Sequence, residues 1–187
     1  MQRVIDVILA SLAIVVLTPL LLPLMIVLRF TGEGEVFYRQ SRIGMDGKIF
    51  KIYKFATMVK DSSKIGSGTL TMKDDPRVLP IGGVLRKTKI NEIPQLLNIL
   101  VGDMSIVGPR PALHNQHELI SKRAALGIDQ LRPGITGWAQ INGRDDISLQ
   151  DKLNFDQEYL VRRSLFFDLK IILLTLVAVV RSRGVSH

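Results

Sequence analysis

The 187-residue sequence contains no cysteine, so neither a disulfide scaffold nor a thiolate metal site is open to it. It has no G-x-x-x-x-G-K-[ST] loop and no G-x-G-x-x-G fingerprint, which removes the P-loop and dinucleotide-binding readings. It also lacks H-E-x-x-H and the G-x-S-x-G elbow, the marks of a zinc protease and of a serine hydrolase. There are three histidines. His114 and His117 lie three apart on a predicted helix, but no third ligand accompanies them, and they read as solvated side chains. No internal repeat or low-complexity tract is present. The most telling absence is charge near the start: Val7 to Leu28 carries none.

That uncharged run is long enough, as a helix, to cross a hydrocarbon core of about 30 Å. Arg3 is the only basic residue before it and no small-residue cleavage site follows, so it reads as a retained membrane helix rather than a signal peptide. Pro19 and Pro23 interrupt it. Each removes a backbone donor and crowds the carbonyl four residues back. The Thr18 hydroxyl is available to a freed carbonyl, so a bend is expected at Thr18-Pro19. Arginines flank both ends (Arg3 before, Arg29, Arg39 and Arg42 after), and the positive-inside tendency draws both to the cytoplasmic side. Two topologies satisfy the residues: a kinked span, and a bent helix that enters and leaves one leaflet. Either one removes a soluble, nucleic-acid-binding role, despite a formal net charge of +8.

The charge excess is local. Residues 51–100 hold nine Lys/Arg against four Asp/Glu, whereas residues 101–150 hold five of each. Such a segment suits a polyanion: nucleic acid, a phosphorylated ligand or anionic lipid. The predicted fold is mainly α with short β segments (α+β). Residues 1–30 form the membrane helix, and 31–187 a globular and interfacial domain. Residues 36–58 read as short strands around a turn at Gly44 and Asp46-Gly47, with Ile49, Ile52 and Phe55 apolar. Residues 59–76 read as a polar loop. Ile90, Ile93, Leu96, Leu97 and Leu100 recur at helical spacing, with Asn91 as N-cap and Glu92 and Pro94 in the first turn. Residues 107–111 form a stiff link, 112–126 a helix, 132–144 a glycine-rich turn region, and 147–163 a polar helix. Leu165–Val180 is apolar but too short in its uncharged part to span, so it is a core or interfacial helix.

Arg86, Arg110, Arg132 and Arg144 lie near glycine and proline turns, where their planar forks suit phosphate. A helix start near Asn91 would add backbone donors. Glu92 and Asp103 are candidate Mg²⁺ ligands.

The runs RKTKINEIPQLLNILVGDMSIVGPRP (86–111), RPGITGWAQINGR (132–144) and DLKIILLT (168–175), with KIFKIYKFATM (48–58) and Thr18-Pro19, resemble the small monotopic phosphoglycosyl transferases of bacteria. The resemblance spans essentially the whole chain, and 111–123 is most like capsule-synthesis members. It implies transfer of a sugar 1-phosphate from a UDP-sugar, here a UDP-N-acetylhexosamine derivative, to undecaprenyl phosphate with release of UMP. It implies Mg²⁺, a re-entrant helix broken at Thr18-Pro19, and an active site on the cytoplasmic face of the bacterial inner membrane. Membrane lipids are then partners, nucleic acid is not, and the apolar surface is compatible with a homodimer.

In the family an Asp-Glu dyad supplies the Asp as nucleophile, through a covalent phosphosugar intermediate. Here Asn91 stands at the Asp position and Glu92 at the Glu position. An amide cannot form the acyl phosphate and binds Mg²⁺ more weakly than a carboxylate. Three consequences stay open: a residue that halts turnover but keeps binding, a variant in which Glu92 or direct attack carries the chemistry, or a membrane-anchored binding or regulatory protein without catalysis. The resemblance further implies phosphate or nucleotide contacts from Lys54, Arg86, Arg110, Gln140 and Arg144, metal contacts at Asn91 and Asp156, and a stacking or interfacial role for Trp138. Ala56 departs from the Arg that many members carry.

Overall fold

The computed structural model describes residues 2–31, 33–64, 75–143 and 147–180. The chain runs α1 (Gln2–Phe30), β1 (Phe37–Ile43), β2 (Ile49–Phe55), α2 (Pro80–Lys87), α3 (Gln95–Val101), β3 (Ser105–Val107), α4 (His117–Ala125), β4 (Gly134–Thr136), α5 (Trp138–Ile141), α6 (Leu149–Arg162) and α7 (Leu165–Val180). The expected mainly helical chain with short strands is what the structure has.

Helix α1 is long and apolar enough to cross a membrane, and only 6% of its most apolar stretch is buried. A core helix of a soluble protein would be mostly covered. The helix is also continuous through Thr18, Pro19 and Pro23. The expected break is therefore a gap in the hydrogen-bond ladder, not an end of the helix. Thr18 Oγ1 donates to the Ile14 carbonyl at 2.7 Å. That is one residue short of the Val15 carbonyl, the one facing the missing Pro19 donor.

Both ends of α1 pack on the rest of the chain. At its start Asp6 accepts from Ser105 Oγ at 2.8 Å and from the Ile106 amide at 3.2 Å. Arg3 donates to the carbonyls of Ile99 and Leu100, at the C-terminal end of α3 where a cation meets the helix dipole favourably. Ala10 joins Phe50, Ile52, Ile99 and Met104 in one core cluster. Near the other end, Leu28 packs with Phe55 and Leu85, flanked by Leu21, Leu24 and Met25. Between these contacts Leu12, Val15, Val16 and Leu20 are exposed.

Strands β1 and β2 pair antiparallel, from Phe37↔Phe55 to Ile43↔Ile49. The turn sits where the sequence put it: Asp46 and Gly47 both have positive φ, 55° and 72°. Phe50 and Ile52 are buried while Ile49 is 69% exposed, because a strand alternates with period two. A second pair, β3 and β4, is parallel, with Ser105↔Gly134 and Val107↔Thr136. Here backbones approach so closely that a Cβ on Gly134 would lie 2.2 Å from the Gly108 nitrogen, and one on Gly137 would lie 2.1 Å from the Gly108 carbonyl. The glycines of 132–144 and of the 107–111 link thus belong to one crossing.

The helix expected from Ile90 onward is shorter. It starts at Gln95, and Pro94, not Asn91, is its N-cap. Its buried face is Gln95, Asn98 and Ile99, whereas Leu97 is 42% exposed. The helix expected over 112–126 likewise starts only at His117. Its predecessor Ala112 instead bridges to Ile43. Helix α6 begins at a Ser148 cap that accepts from the Asp151 amide at 3.0 Å.

Candidate active site

The site is built where the hairpin meets the segment between α2 and α3. With the turn centred on Asp46, Tyr38, Gln40 and Arg42 stand opposite Lys54, Ile52 and Phe50. These even-numbered residues share a face. Helix α2 stops at Lys87, and Lys89 then takes a left-handed conformation with φ 62°. A non-glycine residue seldom does so, and such strain gathers at functional sites. The reversal opens a tight 3₁₀ turn, Ile90–Glu92, and brings Glu92 to the hairpin.

Lys54 Nζ lies 3.0 Å from Glu92 Oε1, with side chains only 16% and 13% exposed. Burial pulls the Lys54 pKa below its ordinary 10.5; Glu92 opposes this, and the nearby charges of Arg110 and Arg42 add to it. Arg86 faces the same carboxylate. Burial lowers its pKa, while Asp75 and Glu92 sustain its charge. Among the described residues, Arg42 and Arg110 lie near Lys54 and Arg86 near Glu92, so four cations gather at the Lys54–Glu92 pair, with Asp75 behind Arg86 in a buried pair with Arg77 at 2.6 Å.

Asn91 is buried, and its Oδ1 has no hydrogen-bond donor among the described residues. Gln140 Oε1 is in the same state. The Gln140 Nε2 donates to the Ile135 carbonyl at 2.8 Å, which fixes the amide. A Cβ on Gly137 would fall 2.9 Å from that Oε1, so the oxygen lies at the Gly108–Gly137 crossing, two residues from Arg110. A buried acceptor without a donor is unfavourable by about 1–3 kcal/mol, which a ligand N–H, a hydroxyl or a cation relieves.

Arg110 is held by its neighbours' backbone contacts. Arg123 Nη1 donates to the Arg110 carbonyl at 2.8 Å, and Arg42 Nη1 to the Pro111 carbonyl at 3.1 Å. Arg123 also grips Asp156 Oδ2 at 3.0 and 2.6 Å through Nε and Nη2. Asp156 is therefore the acidic half of a buried ion pair under Arg110.

Other sequence candidates are dispersed. Asp103 follows α3 and Glu92 precedes it, so a helix about 10 Å long separates the two expected Mg²⁺ ligands. Arg132 donates to the Gly102 carbonyl at 3.1 Å and caps α3. Trp138 is a packing residue: it donates to Glu158 Oε2 at 2.6 Å and lies 5.0 Å from the Phe167 ring. Arg144 lies outside the described residues. His114 and His117 are exposed, and no group of three metal-ligating side chains occurs among the described residues. In the sequence Arg42 reads only as an arginine flanking α1, and Arg123 is not singled out for the site. The hairpin alternation would have found Arg42, since partners about Asp46 put it on the Lys54 face. Nothing local marks Arg123.

Residues 1–182 match the family model described as bacterial sugar transferase. The chain belongs to the bacterial sugar transferase family. Among curated relatives, the exopolysaccharide production protein ExoY of Rhizobium meliloti is 40% identical over 98% of this chain and 87% of its own. A sugar transferase of Bacillus subtilis, EpsL, is 42% identical over 86% of this chain and 78% of its own. The UDP-glucose:undecaprenyl-phosphate glucose-1-phosphate transferase of Escherichia coli is 39% identical over 94% of this chain, which matches 39% of that longer protein. Half-buried cations gathered at one Lys–Glu pair are suited to phosphoryl oxygens.

Proposed function

We propose that this sugar transferase moves a sugar 1-phosphate from a UDP-sugar to undecaprenyl phosphate and releases UMP. What carries this is the seating of the cationic cluster on the apolar helix. On the hairpin face that carries Lys54, Phe50 and Ile52 pack with Ala10 of α1, while on the opposite face Phe55 packs with Leu28 and with Leu85, the neighbour of Arg86, and Ile90, the neighbour of Asn91, packs against that cluster. A phosphate-binding site set against a lipid-facing helix fits an acceptor with a phosphate head and a prenyl tail. The transfer named for the Escherichia coli relative agrees with it.

The residues act by binding and orientation. Arg86, Arg110 and Lys54 hold phosphoryl oxygens, and Lys54 pairs with the Glu92 carboxylate. Gln140 Oε1 accepts from the nucleotide or a phosphate-bound proton. Mg²⁺ fits here to the extent that Asn91 Oδ1 is a buried oxygen without a donor and Glu92 is a carboxylate beside it. Magnesium commonly uses one or two such oxygens together with substrate phosphates, whose charge it neutralises. Asp156, gripped by Arg123, does not belong to that set.

The re-entrant topology is part of this reading. A straight helix of 29 residues is about 43 Å long, so a span would put its ends on opposite sides of a core of about 30 Å. Yet Arg3 and Asp6 near one end and Leu28 near the other contact the same globular part. That favours both ends on one face, the cytoplasmic one by the flanking arginines. Cysteines placed at Val4 and Glu35 should both be labelled by an impermeant reagent from the cytoplasmic side. Labelling from opposite sides would sink the topology.

The function itself is tested by UMP release from detergent-purified protein supplied with undecaprenyl phosphate, Mg²⁺ and a donor panel. The panel contains UDP-glucose, after the named relatives, and UDP-N-acetylhexosamines with their 6-deoxy amino derivatives. UMP release that requires the lipid phosphate is expected. A second reading, a membrane-anchored binding protein without catalysis, draws on Asn91 alone. Retained UDP-sugar binding with no UMP from any donor would favour it.

A further inference from the structure

We propose that Asn98 is a positioning residue of this site, acting as a one-residue third strand that sets Lys54 against Glu92. The inference rests on the reading of the Lys54–Glu92 cluster as the active site. A two-stranded hairpin leaves the outer edge of β2 without a backbone partner. Asn98 is fully buried at that edge. Its Nδ2 donates to the Lys51 carbonyl at 2.8 Å, and its Oδ1 accepts from the Tyr53 amide at 3.0 Å. That is the donor and acceptor pair a neighbouring strand would offer.

The consequence is geometric. Asn98 and Glu92 lie six residues apart on one segment, stiffened by Pro94 and α3. Lys51, Tyr53 and Lys54 lie within four residues on β2. The amide bracket at 51 and 53 and the ion pair at 54 therefore join the same two segments twice. A slip of one residue in β2 would turn Lys54 to the opposite face. The side chain of Ile99, the next residue, is equally buried and supplies only packing. A merely structural role for Asn98 would resemble that of Ile99, which gives the experiment its control.

The test follows the reactivity of the Lys54 amine in detergent-purified full chain, by pulse acylation and peptide mass spectrometry, and so needs no turnover. Three variants are compared with the unaltered chain: Asn98→Leu, the near-isosteric Asn98→Asp, which keeps the acceptor and loses the donor, and Ile99→Ala. In both Asn98 variants acylation of Lys54 should rise by about tenfold, as for a locally opened segment, while the exposed Lys51 keeps its rate. Ile99→Ala should lower Tm by as much or more with little change at Lys54. If Asn98→Leu does not fold, Asn98→Asp decides. An unchanged Lys54 rate in a folded Asn98 variant, or an equal rise in Ile99→Ala, overturns the proposal. UMP release is read in parallel: a chain inactive with every donor refutes the transferase reading and leaves the Lys54 result to judge Asn98 on its own.

Discussion

Replacing Asn91 by Asp should raise UMP release by on the order of 10²- to 10⁴-fold, the scale on which one well-placed catalytic group acts. The amide nitrogen of Asn91 makes the side chain a poor nucleophile toward phosphorus, and its oxygen is left in the site as a buried acceptor. An Asp carboxylate in the same volume could attack the β-phosphorus of the UDP-sugar. The bond to the bridging oxygen breaks, UMP leaves, and the sugar phosphate is carried on the carboxylate until the lipid phosphate displaces it. The new charge faces a favourable setting, since Glu92, next in sequence, already lies among Lys54, Arg86 and Arg110. It also acts back on Lys54. A further negative charge raises the lysine pKa, which burial depresses below 10.5. If protonated Lys54 is required, the alkaline limb of the rate profile moves to higher pH in Asn91→Asp. Comparable UMP release by the Asn and Asp forms would defeat the covalent route through position 91. Attack by Glu92 or by the lipid phosphate itself would then remain, and trapping of a radiolabelled phosphosugar on the protein separates those two.

Periodicity and composition made some elements legible and left others dark. The uncharged run gave α1, the Asp46-Gly47 turn gave the hairpin, and the apolar run after Leu165 gave α7, because each depends on residues close in sequence. The segment around Asn91 reads as a helix start, whereas the helix begins at Gln95. Its apolar spacing is helical, but the left-handed Lys89 and Pro94 divide it into a tight turn and a short helix. For the site, Lys54, Glu92, Arg86 and Arg110 were named from motif position, and the structure brings them together. The strand β4 was hidden in a glycine-rich stretch, because its glycines serve a backbone crossing with 107–111 that involves a distant segment. The parts of the site that depend on such long-range pairing, Arg123 with Asp156 and Asn98 with β2, have no local signature.

Arg123→Met should destabilise the protein by about 3–5 kcal/mol at neutral pH, because it leaves Asp156 buried without its counter-charge. Asp156 is 2% exposed, and Arg123 donates to its Oδ2 from both Nε and Nη2. Burial already raises the Asp156 pKa above 3.8, and Arg123 is what holds it down. Without Arg123 the folded-state pKa climbs further above the unfolded value. Stability contributed by the protonated carboxyl is then present below the unfolded pKa and lost as pH rises through the folded one. The Tm deficit of Arg123→Met should therefore be largest near neutral pH and shrink on acidification, measured by thermal unfolding in detergent at a series of pH values. A pH-independent deficit would refute the ion-pair account. Removing the stranded charge as well, in Arg123→Met with Asp156→Leu, should recover most of the lost stability, since a well-packed apolar pair can replace a buried ionic one. It should not recover transfer activity, because the Arg123 donor to the Arg110 carbonyl is also gone. Stability restored with activity still low is what a scaffold beneath Arg110 requires. A double variant that is both stable and active would remove the Arg123–Asp156 pair from the support of Arg110.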